Sequence, residues 1–230
     1  MIRVGGTADG AYLIPDHLEG VEACFSPGVD NRFEFERELA NRSAIPSFMC
    51  DGSINSINVD NQLLSFGKKW LLAHSDEISQ TLEEWLDVTG QANSQNLILQ
   101  MDIEGWEYLV MQAVSYETLK KFRIILLELH GLERLSQSRF LNLRFIPVLK
   151  KLREKHDIVH LHPNNACGST CLKGNIEVPN VLELTFYRRN ENTGDKMFPP
   201  QVPHPLDIVN NSGKLPLVWD LPLSIDIGSS

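Results

Sequence analysis

The chain has few cysteines, no long apolar run and no excess of positive charge. Four cysteines in 230 residues do not make a disulfide scaffold. No stretch of eighteen apolar residues occurs, so no segment is expected to span a bilayer. With 21 Lys and Arg against 30 Asp and Glu, the formal charge of −9 argues against nucleic acid as a partner. The opening "MIRVGGTADG" lacks the basic-then-apolar layout of a secretion signal, so the expected compartment is the cytoplasm. A G-x-G-x-x-G fingerprint is missing after the first core strand, which removes the main sign of a nicotinamide oxidoreductase.

What the chain does have is alternation. Apolar segments at 21–29, 45–51, 122–132, 157–163 and 180–189 read as strands, as does the run Leu97-Ile98-Leu99 ahead of Asp102, with "KKWLLAH" (68–74) as a further edge-like strand. Between them, 33–42, 75–90 and 140–156 read as helices, the last kinked or split at Pro147. A fourth helix follows Asp102, with Trp106, Leu109, Val110 and Ala113 spaced as one apolar face. Such alternation predicts an α/β domain with a Rossmann-like, doubly wound, mostly parallel sheet. Only a loop separates the last two strands, so they should be antiparallel neighbours and give the sheet one antiparallel edge strand. Residues 1–189 form this domain. Residues 190–230 hold six of the twelve prolines and read as an extended tail packed on it.

In open α/β sheets, ligands bind beyond the carboxyl ends of the strands. Those ends carry Ser26-Pro27-Gly28-Val29-Asp30, then Asp51-Gly52-Ser53, then Asp102-Ile103-Glu104-Gly105, then Glu128-Leu129-His130-Gly131. A buried acid without a partner is costly, so a carboxylate at each of four strand ends points to ribose hydroxyls, an ammonium group or a metal. A glycine turn lets a ligand approach the backbone, and an acid ending the next strand can accept two ribose hydroxyls. Ser26, Gly28, Asp30, Asp51, Gly52, Ser53 and Asp102 are therefore the candidate cofactor residues.

Taken together, "RVGGTADGAYLIPD", "FSPGVDNRFEFERELA", "TLEEWL", "QMDIEGWEYLVM", "LLELHGL", "HLHPNN" and "VPNVLELTFYRR" resemble the FkbM-type methyltransferases. The resemblance covers Arg3 to about Arg189. It implies a class I methyltransferase fold, S-adenosylmethionine as cofactor, and methyl transfer to a hydroxyl of a sugar, glycan or other small metabolite. The chain departs from the family in its first motif, where "SPGVDN" has one glycine instead of two. That departure keeps a second reading open, a non-catalytic domain of the same fold that binds cofactor or partner.

Removing a hydroxyl proton needs a base that titrates near neutral pH, which singles out His130. Glu128 lies two residues earlier on the same strand face and is expected to orient it, with Asp102 completing the catalytic group. Asp9, Tyr12, Glu104, His162, Asn164 and Asn165 are the expected acceptor-side residues. Glu104 reads first as a helix cap and second as an acceptor contact, and Glu107 as a helix-surface acid or partner of a nearby base. His160, His162, Cys167 and Cys171 are spaced too loosely for zinc. No metal is expected; a divalent ion at the Asp102, Glu128 and His130 carboxylate–imidazole set is the exception.

Overall fold

The computed structural model describes residues 1–7, 9–189 and 201–217. The chain opens with a hairpin of β1 (Ile2–Val4) and β2 (Tyr12–Ile14), followed by β3 (Ala23–Pro27) and α1 (Glu34–Ser43). Next come β4 (Ser47–Cys50), β5 (Leu64–Gly67), β6 (Trp70–Leu71), β7 (Ser79–Gln80), α2 (Leu82–Val88), β8 (Leu97–Met101), α3 (Glu107–Ala113) and α4 (Tyr116–Leu119). The longest apolar run forms β9 (Phe122–His130), and after a helical stretch come β10 (His156–Pro163), β11 (Ser169–Leu172), β12 (Ile176–Pro179) and β13 (Val181–Arg188).

Seven strands make the central sheet in the order β10-β13-β9-β8-β3-β4-β5. The pairs from β9 to β5 are all parallel, whereas β13 runs antiparallel to both β9 and β10. The antiparallel strand is thus second from the border, and β10, not β13, is the edge. The loop expected between these two strands itself contains the β11–β12 hairpin. The other edge strand is Leu64–Gly67, not "KKWLLAH"; Trp70 and Leu71 pair instead with Ser79 and Gln80 in a separate ribbon. That ribbon also shortens the helix expected over 75–90, which begins only after Thr81. There Thr81 and Glu84 cap each other's backbone N–H groups, one residue ahead of Leu82.

Both sheet faces are covered, because successive strand residues point to opposite faces and both sets are apolar. Phe25, Leu97, Leu99, Met101 and Leu127 face a core shared with Trp85, Tyr108, Met111, Val148 and Leu152 from α2, α3 and the later helix. Cys24, Ile98, Ile124 and Leu126 face the opposite way, onto α1 and the hairpin, through Phe35, Leu39, Tyr12 and Ile14. On α3 the buried residues are Glu107, Tyr108, Val110 and Met111; Trp106 is half exposed, so the expected apolar face is rotated by about one position. Around Pro147 the helix is neither broken nor sharply interrupted. It widens into a π-helical turn (Leu141–Phe145) between α5 (Ser138–Phe140) and α6 (Ile146–Arg153). Pro147 lacks the N–H that Leu143 would accept, and the Leu143 carbonyl takes Gln112 Nε2 at 2.7 Å instead.

Residues 201–217 lie against the β10 edge. Val202 packs on the main core, Asp207 accepts His160 Nε2 at 2.8 Å, and Asn165 donates to the carbonyls of Asn211, Lys214 and Leu215. The rest of the expected tail, 190–200 and 218–230, lies outside the described residues. Among the described residues no helix is long and apolar enough to cross a membrane.

Candidate functional site

A cleft of about 570 Å³ opens where β3, β4 and β8 end, between Asp9, Tyr12, Gly28, Asp51, Gln100 and Asp102. That size suits one small ligand. Its floor is set by one tight turn. Gly28 donates its N–H to the Cys50 carbonyl at 2.8 Å, and Asp102 donates its own to Pro27 at 3.3 Å, tying β3 to both neighbours. Gly28 has φ +84, and a Cβ there would stand 1.6 Å from the Asp102 carbonyl oxygen. Only glycine fits this approach.

Beyond the turn, Asp30 at φ +47 aims its N–H at Asp51 Oδ2, 3.0 Å away. Ser53 donates its N–H and its hydroxyl to Asp51 Oδ1, at 2.7 and 2.6 Å. Asp51 is thereby a buried carboxylate fixed by three donors on the cleft wall. Gly52 lies under the Trp70 ring, 2.2 Å from where a Cβ would be, so Trp70 forms a half-exposed aromatic wall beside Asp51. Trp70 was not anticipated as a site residue, because its segment reads as an ordinary edge strand.

At the other end stand Asp102 and Glu104, with His130 behind them, outside the cleft lining. His130 Nε2 is 3.7 Å from Asp102 Oδ1 and 3.5 Å from Glu104 Oε2, while Nδ1 lies 3.0 Å from Glu107 Oε1. The Glu107 carboxylate, together with the Glu128 backbone carbonyl 3.1 Å from Nδ1, therefore orients the imidazole; the Glu128 carboxylate does not. The same Glu107 oxygen accepts the N–H groups of Ile103 and Gly105, so Glu107 also does the capping expected of Glu104. Glu104 sits at φ +55 with its side chain in solvent. Glu107 is fully buried, which a surface acid would not be.

The charges here are crowded. Burial would lower the His130 pKa, but the hydrogen bond and charge of Glu107, with Asp102 and Glu128 behind, outweigh it and raise it to about 9. Burial, with the like charges of Glu104 and Glu107 added, pushes Asp102 up to about 7 despite the opposing pull of His130. The ligand atoms of Asp102, Glu104 and His130 lie within 4.8 Å of one another, close enough to share a cation.

Glu128 turns away toward a buried polar chain. Asn164 Nδ2 donates to its Oε1 at 2.9 Å, and the Tyr12 hydroxyl approaches Oε2 at 3.4 Å. Tyr12 in turn accepts Gln100 Nε2 at 3.2 Å, and the single Ser26 hydroxyl proton is shared between two acceptors, Gln100 Oε1 and Glu36 Oε1. Across the strand pair, Glu183 sits directly opposite Glu128. Burial first, then neighbouring carboxylate charge (Asp102 for Glu128, Glu128 for Glu183), raises each to about 8.

The acceptor-side expectations divide. Asp9, Tyr12 and Glu104 line the cleft. His162, Asn164 and Asn165 do not: they are half-buried or buried and already bonded, His162 to Asn210, Asn164 to Glu128 and Asn165 to the 211–215 backbone. Tail residue Asn210 reaches further, to Asp9 Oδ1 at 3.0 Å and Glu183 Oε1 at 2.7 Å. A tail of uneven composition carried no signal of these contacts. His160 and His162 face Asp207, and Cys167 and Cys171 are exposed free thiols. Among the cofactor candidates, Ser26 lies beneath the cleft, fully buried, and Gly52 lies behind Trp70.

Comparison with protein-family models, with curated proteins and with solved structures found no match.

Proposed function

We propose that the chain is an S-adenosylmethionine-dependent methyltransferase of the class I, FkbM-like kind. It would act on a hydroxyl of a sugar, glycan or other small metabolite. The observation that carries this reading is Asp51, a carboxylate fixed by three donors at a strand end, facing a cleft whose glycine turn abuts the Asp102 backbone. A carboxylate so placed accepts two vicinal ribose hydroxyls, with the Trp70 ring beside it as a stacking wall for a base. Bound there, S-adenosylmethionine would supply an electrophilic methyl group to the acceptor oxygen and leave as S-adenosylhomocysteine, with Asp102 and His130 the residues that would serve the acceptor end. The hydroxyl proton passes to neutral His130 at Nε2, since Nδ1 is engaged by Glu107.

Asp51→Ala tests the cofactor half. Loss of charged hydrogen bonds worth about 1.5–3 kcal/mol should weaken S-adenosylhomocysteine binding roughly 10- to 100-fold by calorimetry. Unchanged affinity would take Asp51 out of the site. In the acceptor half, the close approach of Asp102, Glu104 and His130 favours a second reading, a divalent ion held by these three. The expected outcome is that turnover survives dialysis against a chelator. Activity lost on dialysis and restored by magnesium or manganese would make His130 a ligand and not the base.

A further inference from the structure

Glu36 is an acid on the wrong side of its helix. Along α1, residues 35, 36, 39 and 40 are the buried ones, and three of them are Phe, Leu and Ala. Glu36 is 2 % exposed in this row. A solvated acid would sit on the opposite face, beside Glu34 and Glu38, where α1 makes its ion pairs with Arg37 and Arg42. No cation pairs with Glu36 among the described residues. Its Oε1 takes the Ser26 hydroxyl at the end of β3, and its Oε2 is buried without any hydrogen-bond partner. Leaving a buried carboxylate oxygen unpaired is destabilising, and a fold keeps such a group where something else completes it.

The place is informative. Glu36 borders the cleft, together with Phe35, Tyr12, Gln100, Asp102 and the Gly28 turn. It therefore lies at the β3–β8 end, away from Asp51 and Trp70 at the β4 side. The polar side chains around it are Ser26 on β3, Gln100 on β8 and, one contact further, the Tyr12 hydroxyl on β2. None is positively charged. Burial raises Glu36 to about 7, against a smaller opposing pull from the Ser26 hydroxyl; Arg32 and Lys69 line the cleft, but neither is among the groups that act on Glu36.

We propose that Glu36 is the counter-charge for the α-ammonium group of the cofactor's amino-acid portion, received between Oε2 and the Gly28 turn. The inference rests on the cofactor reading above and extends it. A nucleoside held at Asp51 and Trp70 extends its amino-acid chain across the strand ends toward β8, and the ammonium is that chain's only cation apart from the sulfonium. Glu36 meets it as a buried, hydrogen-bonded carboxylate. Ser26 fixes one carboxylate oxygen, so the other is presented in one direction.

The test uses two ligands that share the nucleoside and differ in the amino-acid part. S-Adenosylhomocysteine carries the ammonium; 5′-methylthioadenosine carries neither ammonium nor carboxylate. Glu36→Gln keeps the shape and the Ser26 contact but removes the charge. Calorimetry on the full chain should show S-adenosylhomocysteine binding about tenfold or more weaker in the variant, with 5′-methylthioadenosine unchanged. Thermal unfolding of Glu36→Gln should match or exceed the parent, because an unpaired buried charge is gone. Equal S-adenosylhomocysteine affinity in both proteins overturns the assignment and leaves the cofactor reading standing. Equal weakening of both ligands also overturns it, by making Glu36 a support for the fold of the cleft. If neither ligand binds the parent chain, the cofactor reading fails and this inference with it.

Discussion

Replacing His130 by alanine is expected to lower turnover with the true acceptor about 10²–10⁴-fold, the usual contribution of a positioned general base, and to leave S-adenosylhomocysteine affinity unchanged. The geometry behind this is the pairing of Nδ1 with buried Glu107, which leaves Nε2 facing Asp102 and Glu104, both of which line the cleft. The pH profile follows from the same contacts. A base works only when it is free of its proton, and the net effect of the acids around His130 holds its pKa at about 9. Turnover should therefore climb from neutral pH and level off above about 9. Removing the Glu107 charge removes the largest raising influence, so Glu107→Gln should shift the midpoint downward, whereas Glu128→Gln should move it less. A profile that is flat from neutral to alkaline pH, or near-full activity in His130→Ala, would place the proton acceptor elsewhere, with Asp102, on the cleft wall 3.7 Å from Nε2, the next candidate.

The largest structural effect is expected from Gly28→Ala. A methyl group at that position meets the Asp102 carbonyl oxygen at 1.6 Å, and that oxygen belongs to backbone with no rotamer to escape into. The positive φ of Gly28 adds strain for any L side chain. Relief requires moving the β3 turn away from β8, breaking the Pro27–Asp102 hydrogen bond and shifting Asp51's neighbours. A loss of roughly 4 kcal/mol or more belongs to this class of change. For a chain of this size, each kcal/mol corresponds to about 2–4 °C in Tm, so Tm should fall by roughly 8 °C or more. Binding of S-adenosylhomocysteine should vanish in whatever folded protein remains. A Gly28→Ala protein with parental Tm and affinity would show that the turn is not packed as described. By contrast, Gly6 and Gly90 also have positive φ but meet nothing within 4 Å, and alanine there should cost only the backbone strain.

Much of the architecture was legible in the amino-acid order. Period-two alternation and continuous apolar runs placed β3, β4, β8, β9, β10 and β13 within a few residues of where they lie, since a strand buried on both faces has no other composition available. The strand-end acids and the glycine turn were likewise visible; Gly28, Asp30, Asp51, Asp102 and Glu104 line the cleft, whereas Glu128 does not. Short ribbons were less visible: Trp70–Leu71 and Ser79–Gln80 are two residues each, too short for a period to register.

Partner choice at the site was decided only in three dimensions. By spacing, Glu128 and His130 share a strand face, and the sequence pairs them. In the fold, α3 brings Glu107 to Nδ1 of the ring, and Asn164 and Tyr12 draw the Glu128 carboxylate away. These contacts span 23, 36 and 116 residues, and no local pattern encodes which of two nearby acids wins. Glu36 did leave a local trace, an acid on the apolar row of α1, but that row shows only that the residue is buried. That its second oxygen is left unpaired beside the cleft depends on how α1 packs over β3 and β8. The same holds for His162, Asn164 and Asn165, whose polarity suggested a ligand. The tail at 201–217 reaches back across the β10 edge and takes His162 and Asn165, while Asn164 closes on Glu128, because a buried amide or imidazole must find a partner in the chain when it finds none in solvent.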